Sequence, residues 1–191
     1  MSQETVLIIG DSPFISTVED KLQYAIERYY SIGINNIIKK FPTNAHIFQD
    51  LPFINLTNLY KDMKTITLAT YGDAIQKDNK ELFDSYPFDF RIYNENDICR
   101  DGRLAWFGFT HDYAISYCIH KGFKRIILIG AADFTKGKHF MTEDEFNPSQ
   151  TLADFSKKYI AEVCTKRADI LTCNPESSLE IPRISIDELL V

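Results

Sequence analysis

Four short turns collect the residues best suited to chemistry. Gly10-Asp11-Ser12-Pro13, Asn35-Asn36, Gln49-Asp50 and the stretch Gly130–Phe134 (GAADF) each close a short apolar run, and each carries small, amide or carboxylate side chains. Small residues let a ligand approach backbone amides, which together with helix N-termini hold phosphate or sugar oxygens. Each turn also has a purely structural reading: Gly10 makes a tight turn, Ser12 caps a helix, and Pro13 suits a helix start. Four of them together favour one site.

A second group lies in the segment 135–150, TKGKHFMTEDEFNPSQ. Lys136 and Lys138 can neutralise a departing phosphate, and His139 is a base of near-neutral pKa. The same charges suit a solvated polar loop. Glu143, Asp144 and Glu145 offer hard oxygens to a divalent cation or simply form a solvated face, so metal dependence stays open and no metal ligand is assigned. Thr110 and His111 open a long apolar segment, where His111 either bonds a ligand or serves the helix start. His46 and His120 read as structural. The four cysteines, Cys99, Cys118, Cys164 and Cys173, form no C-x-x-C pair, and three lie in apolar segments, as reduced buried thiols do.

Positioning these groups falls to an alternation of strands and helices. Thr5–Gly10 (TVLIIG) and Arg125–Gly130 (RIILIG) are continuous apolar runs, the pattern of strands buried on both faces. Shorter strands are expected at Ser31–Ile34, Ala45–Phe48, Lys64–Ala69, Phe88–Tyr93 and Asp169–Cys173. Helical spacing marks Thr17–Tyr30, a short piece at Asn35–Phe41, a polar stretch near Ala74–Phe83, Gly102–Lys121 stopped by Gly122, and Thr151–Lys166. The order predicts a single α/β domain over residues 1–191, a three-layer Rossmann-like, doubly wound and mostly parallel sheet. Ligands of such sheets sit beyond the carboxyl ends of the strands, where the strand order reverses. Ser12, Asn35 and Thr110 are therefore expected in one concave site.

Composition narrows the partners. A formal charge of −6, from 27 acidic and 21 basic residues, disfavours a nucleic-acid surface. The first apolar run is too short for a signal peptide or a membrane span and lacks a basic flank, so a cytoplasmic protein without a membrane span is expected.

The order LIIGDSP, a short strand with GIN, HIFQD, then KGFKRIILIGAADF resembles the bacterial lipooligosaccharide sialyltransferases. It is similar also to the wider Rossmann group that includes archaeal hydroxymethylpterin diphosphokinases. The resemblance implies a pocket for the nucleotide half of a CMP-linked sugar donor, with a sugar or glycan as acceptor and no further cofactor. On its pattern Gly10, Asp11, Ser12 and Pro13 stand in the first turn. Asn35 and Asp50 take the two strand-end Asn positions, Thr110 falls on a Ser, and Gly130 ends the apolar strand. Asp133 or Ala132 holds the acidic place after it. The chain departs from the pattern where the family carries its general base, reading Ser149-Gln150-Thr151-Leu152. Its two lid tyrosines fall at about Thr135 and Met141.

The expected activity is glycosyl transfer from a nucleotide sugar, with His139 as the base. A non-catalytic nucleotide-binding or sensing protein is the alternative, and magnesium-dependent diphosphoryl transfer a third. Gly10-Asp11-Ser12 also looks like the opening block of Gly-Asp-Ser hydrolases. No His follows His139, however, and the chain has no Asp-x-x-His to activate the serine.

Overall fold

A computed structural model describes residues 4–49, 56, 62–68, 83–86, 88–89, 103–105, 108–134, 137–141, 145–146 and 149–191. The chain runs β1 (Thr5–Ile9), α1 (Ile15–Arg28), β2 (Tyr30–Ile34), β3 (Ala45–Ile47), β4 (Lys64–Leu68), β5 (Phe83–Tyr86), β6 (Phe88–Asp89) and β7 (Leu104–Ala105). It continues through α2 (Thr110–His120), β8 (Arg125–Ile129), β9 (Gly137–Lys138), β10 (Glu145–Phe146), α3 (Gln150–Lys158), β11 (Asp169–Thr172) and α4 (Ile186–Leu190).

Seven strands form one sheet in the order β11-β8-β1-β2-β3-β4-β5, and every pair is parallel. β1 and β8 are neighbours, in register from Thr5↔Arg125 to Ile9↔Ile129. Both are buried, as their unbroken apolar runs require. Alternation sorts their side chains onto two faces. Leu7, Ile9, Ile127 and Ile129 pack under Val18, Leu22, Ala25 and Ile26 of α1 and Ile186 and Leu189 of α4. Val6, Ile8, Ile126 and Leu128 pack under Tyr113, Ala114 and Tyr117 of α2 and Tyr159 and Ile160 after α3. The result is the three-layer Rossmann-like architecture that the sequence pattern predicts. Among the described residues no helix is long and apolar enough to cross a membrane.

Three elements differ from expectation. The helix expected from Gly102 starts at Thr110, and Leu104–Ala105 instead pairs with Phe88–Asp89 as a separate two-stranded ribbon. Periodicity cannot separate short apolar runs of this kind, and Gly108, with φ +98°, turns the chain between ribbon and helix. Phe83, expected at the end of a helix, belongs to β5. The helix expected over Thr151–Lys166 is α-helical only to Lys158, then passes through a π turn (Tyr159–Val163) and a 3-10 turn (Cys164–Lys166). The rest of the polar helix expected near Ala74 and the strand residues 90–93 lie outside the described residues.

Candidate functional site

The strand order reverses at β1. Strands β2 to β5 run off on one side, β8 and β11 on the other, so the turns after β1 and β8 face each other across the crevice that this topology opens. The two turns touch. A Cβ on Gly10 would lie 2.3 Å from the carbonyl oxygen of Gly130, so glycine is required there for contact of the two backbones.

A cavity of about 230 Å³ opens over these turns, below the roughly 300–1,000 Å³ of sites that hold a whole drug-sized ligand. Gly10, Asp11, Ser12 and Pro13 line it after β1, Asn35 after β2, and Gly108–His111 at the N-terminus of α2. Gly130–Phe134 after β8 and His139 complete the wall. Ser12, Asn35 and Thr110, far apart in sequence, thus share one concavity. Asp50, Lys136, Glu143 and Asp144, with Thr135, lie outside the described residues, as do the side chains of Lys138 and Glu145.

Ser12 does not cap α1. The N-cap residue is Phe14, without a side-chain hydrogen bond. The Ser12 hydroxyl instead donates to Asp133 Oδ2 in a short hydrogen bond that spans the crevice. Asp133 is 3% exposed, and among the described residues its other oxygen, Oδ1, has no hydrogen-bond partner. Burial pushes its carboxyl up to about 6, with partial relief from the Ser12 and Asn174 side chains. The Oδ1 of Asn35 is a second buried acceptor without a donor among the described residues. Both are places where a ligand donor would be satisfied.

On the opposite wall His139 Nδ1 lies 2.9 Å from Asp11 Oδ1, and the backbone N–H of Phe140 donates to the Asp11 carbonyl at 2.7 Å. The Phe140 ring stacks on Phe41 at 6.2 Å. Residues 139–140 are thereby docked against the first turn. Burial pushes the Asp11 carboxyl above its ordinary value, and His139 beside it relieves only part of that rise. Among the described residues, no cluster of three or more His, Cys, Asp or Glu is placed to hold a metal ion.

Backbone strain gathers here as well. Five of the six described residues with positive φ, all but Gly122, line this cavity: Asn35, Gly108, Gly130, Ala132 and Phe134. Phe134, at φ +51°, is bulky for that region. In the turn after β8, left-handed residues recur at every second position, Gly130, Ala132 and Phe134, a pattern found in turns whose backbone N–H groups bind anions. The amides of Ala131, Ala132, Asp133 and Phe134 donate to none of the described residues. Sequence reading marked this turn by its small residues; the alternation itself has no sequence signal, because Ala and Phe rarely adopt it.

No protein-family model matches the sequence, and no curated protein matches it either. Among solved structures the chain is similar to the MAf glycosyltransferase from Magnetospirillum magneticum AMB-1, with a TM-score of 0.63 over 97% of this chain at 14% identity. At that identity the likeness is one of fold. This chain spans 34% of the length of that protein.

Proposed function

We propose that this chain is a glycosyltransferase that binds a nucleotide sugar, with the nucleotide half in the cavity over β1 and β8, as the sialyltransferase resemblance implies. The observation that carries the reading is the docking of the His139–Asp11 pair beside the alternating turn Gly130–Phe134, which puts a base next to an anion cradle. The fold likeness to the MAf glycosyltransferase supports it.

Phosphate oxygens of the donor take the amides of residues 131–134, a turn whose left-handed residues suit an anion. Two carboxylates share the cavity and oppose that charge. The Nδ1–H of His139 satisfies Asp11, and the raised affinity of Asp133 for a proton lets it become neutral when an anion approaches. Asp11 accepts from the Nδ1–H of His139, which leaves the basic lone pair on Nε2. In the transfer step an acceptor hydroxyl oxygen bonds to the anomeric carbon. The bond from that carbon to the phosphate oxygen breaks, and its electron pair stays with the phosphate. The hydroxyl proton passes to His139. Lys136 and Lys138 belong to the same segment as His139 and are assigned to the charge that builds on the leaving phosphate.

Incubation of the purified chain with CMP-, UDP- and ADP-sugars and a panel of glycan acceptors tests this reading, followed by melting shift and nucleotide release. Release that depends on acceptor supports it. Ser149 and Gln150, standing where the sialyltransferases carry their base, favour a second reading, a nucleotide-binding or sensing protein. A melting shift without release from any donor establishes that one. Release with an absolute magnesium requirement and transfer of a diphosphoryl group would point to the third.

A further inference from the structure

Behind the cavity wall lies a buried polar chain that the proposed transfer step does not use. His111 Nε2 is 3.1 Å from Ser156 Oγ and 3.5 Å from Asp112 Oδ1, and Ser156 donates to Asp112 Oδ1 through a short hydrogen bond. Asp112 and Ser156 are fully buried. Asp112 sits in the first turn of α2. Asp112 Oδ1 accepts the Ser156 hydroxyl, so the one proton of Ser156 is committed there. Ser156 Oγ must then accept from His111, and both groups facing Nε2 are acceptors. The ring proton is therefore on Nε2 and the lone pair on Nδ1.

The ring is also held in place and kept neutral. Phe109 stacks on it with centroids 5.0 Å apart and planes 10° apart, and Phe134 meets it edge-on at 5.1 Å. Burial pushes its conjugate acid down to about 3. His111 lines the cavity, and its Nδ1 bonds to none of the described residues.

We propose that His111 is a specificity-determining acceptor, whose Nδ1 takes a hydrogen bond from an N–H or O–H donor of the ligand, with Ser156 and Asp112 as positioning residues that hold the required tautomer. The proposal rests on the nucleotide reading above. It gives the cavity a polarity. A phosphate or carbonyl oxygen facing Nδ1 would meet a second acceptor, so the anionic end of the ligand belongs at residues 131–134. A ring amine or a sugar hydroxyl belongs at His111.

Two measurements on the full chain test it. Nitrogen-15 imidazole spectra, with the His111 signal assigned by its loss in His111→Phe, should show a neutral ring protonated on Nε2 from about pH 5 to 8. Ser156→Ala should release that tautomer into a mixture. In titrations, CMP is compared with UMP and AMP with IMP for the amine, and each ribonucleotide with its 2′-deoxy form for the hydroxyl. One arm should show about a tenfold preference for the donor-bearing member, the scale of one hydrogen bond. That preference should fall to within about twofold in both variants. An Nδ1-protonated or cationic ring overturns the proposal, as does equal binding across both arms by a protein that binds nucleotides. If none of these nucleotides binds, the nucleotide reading fails and takes the ligand half of the proposal with it. The spectra still judge the Asp112–Ser156–His111 chain.

Discussion

His139 Nδ1 meets Asp11 Oδ1 at 2.9 Å, joining the segment after β8 to the turn after β1 across 128 positions of sequence. The contact sets both the orientation of the imidazole and the nitrogen that carries its basic lone pair. His139→Ala should therefore slow nucleotide-sugar turnover by about 10²-fold or more, with nucleotide affinity nearly unchanged. Asp11→Asn should lower kcat by a smaller factor, because the amide still holds the ring but lacks the charge that steadies the imidazolium formed during transfer. Steady-state kinetics beside direct binding titrations separate the two effects; unchanged kcat in His139→Ala removes it from the mechanism.

Asp133 makes stability depend on pH. Its carboxyl titrates near 6 in the folded chain against 3.8 when exposed, so the folded state holds the proton more tightly. Its contribution is fully present below about pH 3.8 and is lost as pH rises through about 6. The shift corresponds to a loss on the order of 3 kcal/mol by neutral pH. Urea unfolding of wild type and Asp133→Asn across this range should show the variant gaining on wild type as pH rises, then a constant difference above about pH 7. Parallel curves would mean that Asp133 titrates normally.

Gly10→Ala should destabilise the fold by roughly 2–3 kcal/mol, since the added Cβ would fall 2.3 Å from the Gly130 carbonyl oxygen and neither backbone can yield cheaply. A drop in the urea midpoint at constant m-value checks it. Nucleotide binding should weaken as well, because the two turns that form the crevice would be forced apart.

Ala132→Gly should act in the opposite sense. Ala132 is held at φ +57°, a conformation that costs a residue with a Cβ roughly 1–2 kcal/mol. Glycine removes that strain but has more freedom to lose on folding, so a net gain of about 0.5–1 kcal/mol is expected. The looser turn should hold an anion less well. Higher Tm with weaker nucleotide affinity is the expected pair of results, and a lower Tm would show that the turn is not strained.

Local pattern was enough for the frame of this protein. VLII and IILI, short runs of branched apolar residues, read as strands buried on both faces, because none of those four residues is polar enough to meet water. The helical spacing of Val18, Leu22, Ala25 and Ile26 then required a covering layer. From alternating strands and helices follow the parallel sheet, the crevice at its carboxyl edge, and the gathering of Gly10, Ser12, Asn35, Thr110 and Gly130 around it. Tertiary structure decided what those residues do there. Ser12 is as good a helix cap by sequence as any serine, and only the approach of β8 supplies Asp133 as its partner. Asp133 is an ordinary acid until burial raises its pKa. Ser156 and Asp112 appear as a polar residue in an amphipathic helix and an acid in a first turn, and they become a proton-ordering chain only because α3 lies against α2. Secondary structure follows from neighbours a few positions apart, whose spacing is written in the sequence. Hydrogen-bond partners across the crevice are more than 100 residues apart, and the packing of whole layers selects them.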